Sequence, residues 1–315
     1  MKRSAAVFAA LFAAACFAGA FAQQESDVIR LDPGLDAIIS ANGKLEVLPD
    51  SEGLGTREGP TWIRQGGYLI YSDLHAKTIN KWDPRENKIT IFEKDTNSDG
   101  VTLDHQDRLV WAAKTPSGGT IVRLEKNGQR TVLASEYQGK PLSGPNDLVY
   151  KSDGLLYFTD PDRSAPRVYL LKGGQVTLAT AELPHPNGLA FSPGEKQLYI
   201  NDSSMMTVTR YDVKPDGSIA NPKIVIDMNA GQEPCAFPCP EGYPDGMKVD
   251  RKGNIYVTGR GGIWIVSPEG KHLGTIAVPN HPANLAFGGP DGKTLFFTAR
   301  PGLYRIRLNA SGIQP

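Results

Sequence analysis

The sequence has little cysteine and no excess of charge of either sign. Its 315 residues include 3 cysteines, and 34 Lys and Arg residues balance 34 Asp and Glu residues. Charges of both signs are interspersed along the chain. Proteins that bind phosphate backbones or acidic membrane surfaces need an excess of Lys and Arg. The composition therefore argues against a nucleic-acid partner and against an acidic membrane surface.

Long apolar runs are missing except at the N-terminus. The segment MKRSAAVFAALFAAACFAGAFAQQ has a basic start, an apolar stretch and the small-residue signal Ala20-Phe21-Ala22. These features predict a signal peptide over residues 1–22 and a mature chain, 23–315, that forms one domain. An uncleaved anchor is one alternative, disfavoured because a cleavage signal follows the apolar stretch. A lipid on Cys16 is another, disfavoured because the preceding residues, 13–15, are all Ala and lack the usual aliphatic side chain. We expect export across the inner membrane to the periplasm, with no membrane association of the mature form.

Cleavage of that segment would leave Cys235 and Cys239, in PCAFPCP, as the cysteines of the mature chain. In an oxidising compartment, two cysteines so close in sequence are expected to form a small disulfide loop. A metal pair is the alternative. It is disfavoured because no partner Cys or His lies nearby in the sequence.

No segment shows a long helical period, and 34 Gly and 24 Pro residues suit many tight turns. Instead, a strand–turn–strand pattern such as DGMKVDRKGNIYVTG recurs about every forty residues. The copies begin at Glu58, Asp99, Asn146, Asn187, Asp245 and Ala283. A third and usually a fourth short strand follow each copy. This repeat predicts an all-β fold, a six-bladed β-propeller with four-stranded blades around a central channel.

The last copy retains one further clear strand, GLYRIRL. We predict that KLEVL, residues 44–48, supplies its outer strand. Pairing the two ends of the chain would close the ring and remove an exposed sheet edge. The stretch GLDAIIS, just before it, is expected to form one short helical turn.

The first strand of a propeller blade lines the channel, so the residue that opens it points toward the axis. Five of the six opening residues carry side-chain oxygens, and Ala283 does not. A single Asn-Gly or Asp-Gly pair is commonly a turn, but Glu58 is not a turn former and Asn146 precedes an Asp. Converging carboxylate and amide oxygens predict a divalent-cation site. Ca²⁺ is the first choice, with Mg²⁺, Mn²⁺ or Zn²⁺ as alternatives.

These residues also carry a resemblance to a known family. The chain resembles the regucalcin and gluconolactonase family of propeller lactonases, most closely its secreted bacterial members. The resemblance covers essentially all of the mature chain, in stretches such as EGPTW, GPNDLVYKSDGLLYFTDP and HPNGLAFSPGEKQLYIND. It implies that Glu58, Asn187 and Asp245 bind a divalent metal and that Asn146 contacts the metal's water or the substrate. It also implies that Asp245 is the catalytic acid/base residue and that a small-molecule lactone is the partner.

Four positions depart from the family pattern. Close bacterial relatives more often have Asn at Asp99, and they commonly carry a Glu-His pair in place of Ala113-Lys114. The arginine that binds sugar in the regucalcin branch falls near Gly144. These departures concern the substrate more than the metal.

The expected function is a metal-dependent hydrolase that opens a lactone ring, with the cation polarising the carbonyl and Asp245 moving the proton of the attacking water. Two alternatives stay open. One is a calcium-dependent esterase or phosphotriesterase built on the same site, and the other is a non-enzymatic binding propeller. A monomer or small homo-oligomer is expected.

Other notable side chains have structural interpretations. Acids at the ends of second strands are expected to tie down turns: Asp73, Asp160 and Asp202. The tryptophans are expected to pack between blades: Trp62, Trp82, Trp111 and Trp264. Four histidines are expected in turn or rim positions, His105, His185, His272 and His281, and His75 in a loop. His185 is interpreted as a solvated loop residue, with a proton shuttle at the rim as the alternative.

Overall fold

A computed structural model describes residues 27–49, 55–162 and 164–313. The predicted signal peptide, residues 1–22, lies outside the described residues. The described chain forms six antiparallel sheets of short strands, arranged as a ring. Each inner strand contacts the inner strands of the next and the previous blade, and that of blade 6 contacts that of blade 1. The predicted six-bladed β-propeller is confirmed.

The blades follow one another along the chain, each running from the channel outward. Blade 1 contains Arg57–Ile63, Tyr68–Asp73, Thr78–Asp83 and Lys88–Glu93. Blade 2 contains Ser98–Leu103, Leu109–Thr115, Gly118–Leu124 and Arg130–Ala134. Blade 3 contains Leu148–Tyr150, Leu156–Asp160, Arg167–Lys172 and Gln175–Thr180.

The second half of the ring repeats this order. Blade 4 contains Pro186–Phe191, Gln197–Asp202, Thr207–Val213 and Ile219–Asp227. Blade 5 contains Met247–Val249, Ile255–Gly259, Gly262–Val266 and His272–Ala277. Blade 6 contains Pro282–Gly288, Thr294–Ala299 and Gly302–Arg307. A small hairpin, Glu136–Tyr137 with Lys140–Pro141, lies between blades 2 and 3.

The N-terminal segment joins two blades at their outer edges. Leu45–Val47 pairs antiparallel with Gly302–Arg307 and completes blade 6, as predicted for residues 44–48. Glu46 and Arg305, which face each other in this pairing, form an ion pair at 2.6 Å. Val28–Arg30 adds a fifth strand to blade 5, which the repeat did not predict. A 3₁₀ helix, Pro33–Ala37, connects these strands, and its N-cap Asp32 accepts a hydrogen bond from the Gly34 amide.

Apolar side chains form one cluster between each pair of neighbouring blades. Between blades 6 and 1, Trp62 stacks on Phe296 with ring centroids 5.3 Å apart, and Trp82 packs against the same ring at 5.8 Å. Trp111 belongs to the cluster between blades 1 and 2, and Trp264 to that between blades 4 and 5. The tryptophans therefore pack between blades, as expected. Among the described residues, no helix is long and apolar enough to span a membrane.

Candidate active site

The residues predicted to open the inner strands meet at one end of the channel. Glycine follows four of them, and the reason is close approach between blades. A Cβ on Gly100 would lie 2.6 Å from the Asn146 carbonyl oxygen, and one on Gly188 would lie 2.2 Å from that of Asp245. Both glycine amides donate hydrogen bonds to these carbonyls, at 2.8 and 2.9 Å. These Asp-Gly and Asn-Gly pairs are therefore inter-blade contacts at the start of inner strands, not free-standing turns.

Glu58 and Asp245 are both buried at this end, and both face one guanidinium. Arg300 Nη2 lies 3.7 Å from Glu58 Oε1 and 3.8 Å from Asp245 Oδ2, which is too far for hydrogen bonds. Burial raises the pKa of Glu58 well above its ordinary range, and the charges of Asp245 and Asp99 add to this effect. Burial likewise raises the pKa of Asp245 to about 7, although Arg300 opposes the shift. The two carboxylates thus lack sufficient positive charge nearby.

Asp245 is held by its backbone, which leaves its carboxylate directed into the channel. Its amide donates to Thr258 Oγ1 at 2.8 Å, and its carbonyl accepts from Asn201 Nδ2 at 2.6 Å. Both partners are buried on second strands of blades 5 and 4. The position of this acid is therefore set by two neighbouring blades at once.

Asn187 presents an unsatisfied oxygen. Its Nδ2 donates to Ser203 Oγ at 3.2 Å, and that hydroxyl donates to the Pro244 carbonyl at 2.6 Å. These bonds fix the amide so that Oδ1 is the free end, and Oδ1 is buried without a hydrogen-bond partner. Because leaving a buried acceptor unpaired costs about 1–3 kcal/mol, the arrangement calls for a ligand at this oxygen.

Asn146 and Asp99 form a linked pair on the neighbouring blades. Asn146 Nδ2 donates to Asp99 Oδ2 at 3.2 Å, and Lys114 pairs with the same carboxylate oxygen. Asp99 therefore joins the site as the group that orients the Asn146 amide. Lys114, known from the sequence only as a departure from the family pattern, is the counter-ion of Asp99.

A second polar layer lies one residue farther along the inner strands of blades 3 and 6. Asp147 and Asn284 are buried, and each accepts a hydrogen bond from the next amide in the chain, that of Leu148 or Leu285. Burial raises the pKa of Asp147, while Lys248 and a hydrogen bond from Asn284 oppose the shift. Ala283 is thus apolar as predicted, and Asn284 supplies the polar group of blade 6. The shared spacing of PND and PAN, each followed by Leu, could have identified it.

The predicted ligand set has the chemistry of a hard-cation site. It offers two carboxylates, Glu58 and Asp245, and amide oxygens, with Asn187 Oδ1 unpaired. Among residues 27–49, 55–162 and 164–313, no group of three or more His, Cys, Asp or Glu side chains has an arrangement that could hold a metal. A cation here would therefore depend on the amide oxygens and on water as well as on the two acids, a mixture that Ca²⁺ accepts.

Aromatic rings line one side of the channel mouth. His185, Phe237, Tyr243 and His281 follow one another with centroid distances of 4.7, 4.8 and 4.3 Å. Phe237 lies in the loop closed by the Cys235–Cys239 disulfide, so the expected pairing of these cysteines places a ring at the mouth. Burial lowers the pKa of His281 to about 4, and Arg300 adds to the effect. His281 is therefore neutral at neutral pH, and its Nε2 is buried without a hydrogen-bond partner.

The acids at the ends of second strands bind backbone amides on the same face. Asp160 accepts from the amides of Ser143 and Gly144, both at 2.9 Å, and Asp202 accepts from His185 at 2.7 Å. Asp73 accepts from the Ala76 amide at 2.8 Å. Their role is structural, as expected.

The opposite end of the channel differs in character. There the far ends of the inner strands enclose a cavity of about 500 Å³, lined largely by apolar side chains such as Val101, Leu148 and Phe191. The ring of acids and amides lies at the other end. The converging carboxylates and amides thus lie at the mouth where the inner strands begin.

Comparisons with known proteins identify the family to which the chain belongs. The family described as "SMP-30/Gluconolactonase/LRE-like region" matches residues 56–300. The gluconolactonase of Zymomonas mobilis is 29% identical over 316 residues, covering 90% of this chain and 87% of that protein. A solved gluconolactonase of Xanthomonas campestris is 27% identical with a TM-score of 0.77, covering 89% and 94%. The calcium-binding regucalcin of Agrobacterium tumefaciens, at 19% identity, a TM-score of 0.71 and coverage of 87% and 97%, shows the same fold. The chain belongs to the SMP-30/gluconolactonase/LRE-like family.

Proposed function

We propose that this protein hydrolyses a lactone ring with a divalent cation, Ca²⁺ in first place, at the mouth of the channel. Glu58, Asn187 and Asp245 would hold the cation, and Asn146 would complete the set directly or through water. When bound, the cation supplies a Lewis acid for the ester carbonyl. The observation that carries the proposal is the convergence of two electrostatically uncompensated carboxylates with the unpaired, buried Asn187 oxygen.

The side chains would supply proton transfer and substrate positioning. Asp245 is the only one of the four that is both a carboxylate and fixed by two blades, so it would accept the proton of the attacking water and return it to the leaving alkoxide. Asn146 cannot act as a base. Its amide, oriented by Asp99, would position the water or the hydroxyl groups of the substrate.

The family relatives favour lactones over other esters. The named relatives of bacterial origin include gluconolactonases that cover most of this chain. A non-enzymatic propeller has no need of buried acids that face one another, because burying uncompensated charge costs stability. An esterase or phosphotriesterase acting at the same cation is the competing enzyme class, and the test below separates it.

The test compares substrate classes with and without metal. The mature protein is incubated with sugar lactones, aryl esters and a phosphotriester, after chelation and after readdition of Ca²⁺, Mg²⁺, Mn²⁺ or Zn²⁺. We expect lactone hydrolysis that chelation abolishes and Ca²⁺ restores. Full activity in metal-free protein would overturn the metal role, and hydrolysis of the phosphotriester in preference to every lactone would overturn the substrate class.

We also propose that the protein acts in the periplasm. The basic start and the Ala20-Phe21-Ala22 signal support export, and the Cys235–Cys239 pair suits an oxidising compartment. N-terminal sequencing of protein from a periplasmic extract tests this. The expected first residue is Gln23.

A further inference from the structure

The far end of the channel holds a cavity that the proposed reaction does not use. It has a volume of about 500 Å³ and is lined by inner-strand residues of all six blades. The apolar side chains that form its walls are less than one-tenth exposed: Val101, Leu103, Leu148, Leu189, Phe191 and Phe287. Cavities of about 300–1,000 Å³ have the size that binds small molecules. Apolar walls accept an apolar group more readily than water, because a water molecule needs polar partners.

Lys248 brings a positive charge to the end of this cavity that lies nearest the mouth. It belongs to the inner strand of blade 5, Met247–Val249, and it lines the cavity. Its Nζ donates a hydrogen bond to the carbonyl of Met247 at 3.0 Å. Met247 precedes it on a strand that starts at the mouth, so the ammonium is turned toward the interior of the channel. A lysine at the edge of an apolar surface ordinarily extends its ammonium into water instead.

The ammonium of Lys248 has donors to spare. An ammonium carries three N–H donors, and in the described part of the chain its one hydrogen bond is that to Met247. Asp147 is the acid that faces it, and Lys248 opposes the rise that burial causes in the pKa of that acid. Asp147 Oδ2 is nevertheless buried without a hydrogen-bond partner, so the two groups attract each other without a bond. Because Asp147 belongs to the polar layer nearer the mouth, the side of the ammonium that faces the cavity is left without an anion.

The acids at the far opening of the cavity have other partners. Asp107 and Glu195 line this opening, in the connections that follow two inner strands. Asp107 accepts a hydrogen bond from Gln65 Nε2 at 2.8 Å, and Glu195 accepts one from the Ser152 amide at 2.8 Å. Neither acid forms an ion pair with Lys248. The cavity therefore combines apolar walls with a single inward-facing cation that these acids do not neutralise.

We propose that this cavity binds an amphipathic monocarboxylate, a fatty acid with a medium-length alkyl chain. Its carboxylate accepts charge-assisted hydrogen bonds from the remaining donors of Lys248, and its chain lies along the apolar walls toward the far opening. A small polar anion would leave the walls in contact with water, and a neutral apolar molecule would leave the ammonium unpaired. The site lies apart from the mouth and does not depend on the proposed lactonase activity.

The experiment measures the binding of straight-chain carboxylates to the mature protein by calorimetry. From hexanoate to octanoate, the affinity should rise about fourfold with each added CH₂, because the cavity removes the added group from water. Octan-1-ol has a chain of the same length without the charge, and it should bind about 10- to 100-fold more weakly than octanoate. Lys248→Met should lower the affinity for octanoate to that for octan-1-ol and leave the affinity for octan-1-ol nearly unchanged. Lys248→Arg should keep part of the preference for octanoate.

Matched controls locate the bound ligand. Lys151 directly follows the inner strand of blade 3 at the same end of the channel, pairs with Asp153 and does not line the cavity, so Lys151→Met should leave octanoate binding unchanged. Phe237→Ala, at the opposite mouth, should also leave it unchanged. Ala286→Leu places a larger side chain in the cavity and should weaken octanoate and octan-1-ol together.

The wild type alone can refute the inference. Equal affinities for octanoate and octan-1-ol, or no binding of either, would overturn it. Octanoate binding that survives Lys248→Met or Ala286→Leu, or that is lost in Phe237→Ala, would place the ligand elsewhere and would overturn it as well. Each of these results leaves the lactonase proposal standing.

Discussion

Replacing Asp245 by Asn should make the metal-free protein more stable. The carboxyl is buried, and burial raises its pKa from the ordinary 3.8 to about 7. Because the folded-state pKa lies above the unfolded value, the contribution of this group to stability is full below about pH 4 and is lost as the pH rises through about 7. At pH 8 the ionised carboxylate therefore destabilises the folded chain, and Asn at this position does not.

The size of the effect follows from the shift. Three pKa units, the difference between about 7 and 3.8, correspond to ~4 kcal/mol. The value of about 7 already includes the opposing attraction of Arg300. The Asn side chain must itself be desolvated in the buried position, so we expect a net gain of roughly 1–3 kcal/mol at pH 8. At pH 4 the wild type and Asp245→Asn should have nearly the same free energy of unfolding.

Denaturant unfolding after chelation, from pH 4 to pH 8, measures this difference directly. With Ca²⁺ present at pH 8, the wild type should instead be the more stable of the two proteins. A ligand that binds only the folded state raises the free energy of unfolding by about 2.7 kcal/mol when its concentration is a hundred times its Kd, and we expect the wild type to bind Ca²⁺ more tightly than Asp245→Asn. Asp250→Asn is the matched control. This buried acid accepts hydrogen bonds from the amides of Lys252 and Asn254, at 2.8 and 2.9 Å, so its replacement should destabilise with and without calcium. If metal-free Asp245→Asn is less stable than the wild type at pH 8, the reasoning from buried charge is wrong.

Three further predictions concern the same mouth. Under saturating Ca²⁺, Glu58→Gln should recover most of its lactone hydrolysis. Asp245→Asn should stay about 10²–10⁴-fold slower than the wild type, because it lacks the general base. If titration with Ca²⁺ rescues the two variants equally, Asp245 is a metal ligand only. The pKa of His281 is lowered to about 4. His281→Asn should therefore leave the shape of the pH–rate profile unchanged between pH 5 and 9. Loss of an ionisation in that range would show that the His281 side chain is not neutral there. Replacing both Cys235 and Cys239 by Ser should raise KM more than it lowers kcat, because the disulfide no longer fixes the loop that carries Phe237. An unchanged KM in steady-state kinetics would show that the Phe237 ring does not contact substrate.

The sequence was sufficient for the fold because propeller blades repeat. Each copy carries the same alternation of apolar and polar residues and the same turn chemistry, so six weak patterns reinforce one another. The closing strand Leu45–Val47 was predictable for a different reason. Blade 6 was short of a strand, and an unpaired edge has to be covered. Val28–Arg30 was not predictable, since nothing in blade 5 was missing and three residues carry no period of their own.

The residues of the site also include some that the repeat predicts and some that it does not. Glu58, Asn146, Asn187 and Asp245 occupy equivalent places in their blades, so the repeat predicts that they converge. Arg300 does not occupy a position that recurs from blade to blade. It belongs to a connection after a second strand, and its long side chain reaches two inner strands across the mouth. That reach depends on the rotation of blade 6 against blade 1, which only the packed structure defines.

The ion pair between Asp99 and Lys114 links two departures that the sequence presented separately. An Asp at position 99 adds a buried negative charge to a site already rich in them, and by itself it would be costly. Lys114 lies on the adjacent strand of the same blade and pairs with this carboxylate, so its charge offsets the cost of burying Asp99. The pair still holds the Asn146 amide, which donates to Asp99 at 3.2 Å. The consequence is an additional half-exposed cation beside the site without loss of the amide's orientation.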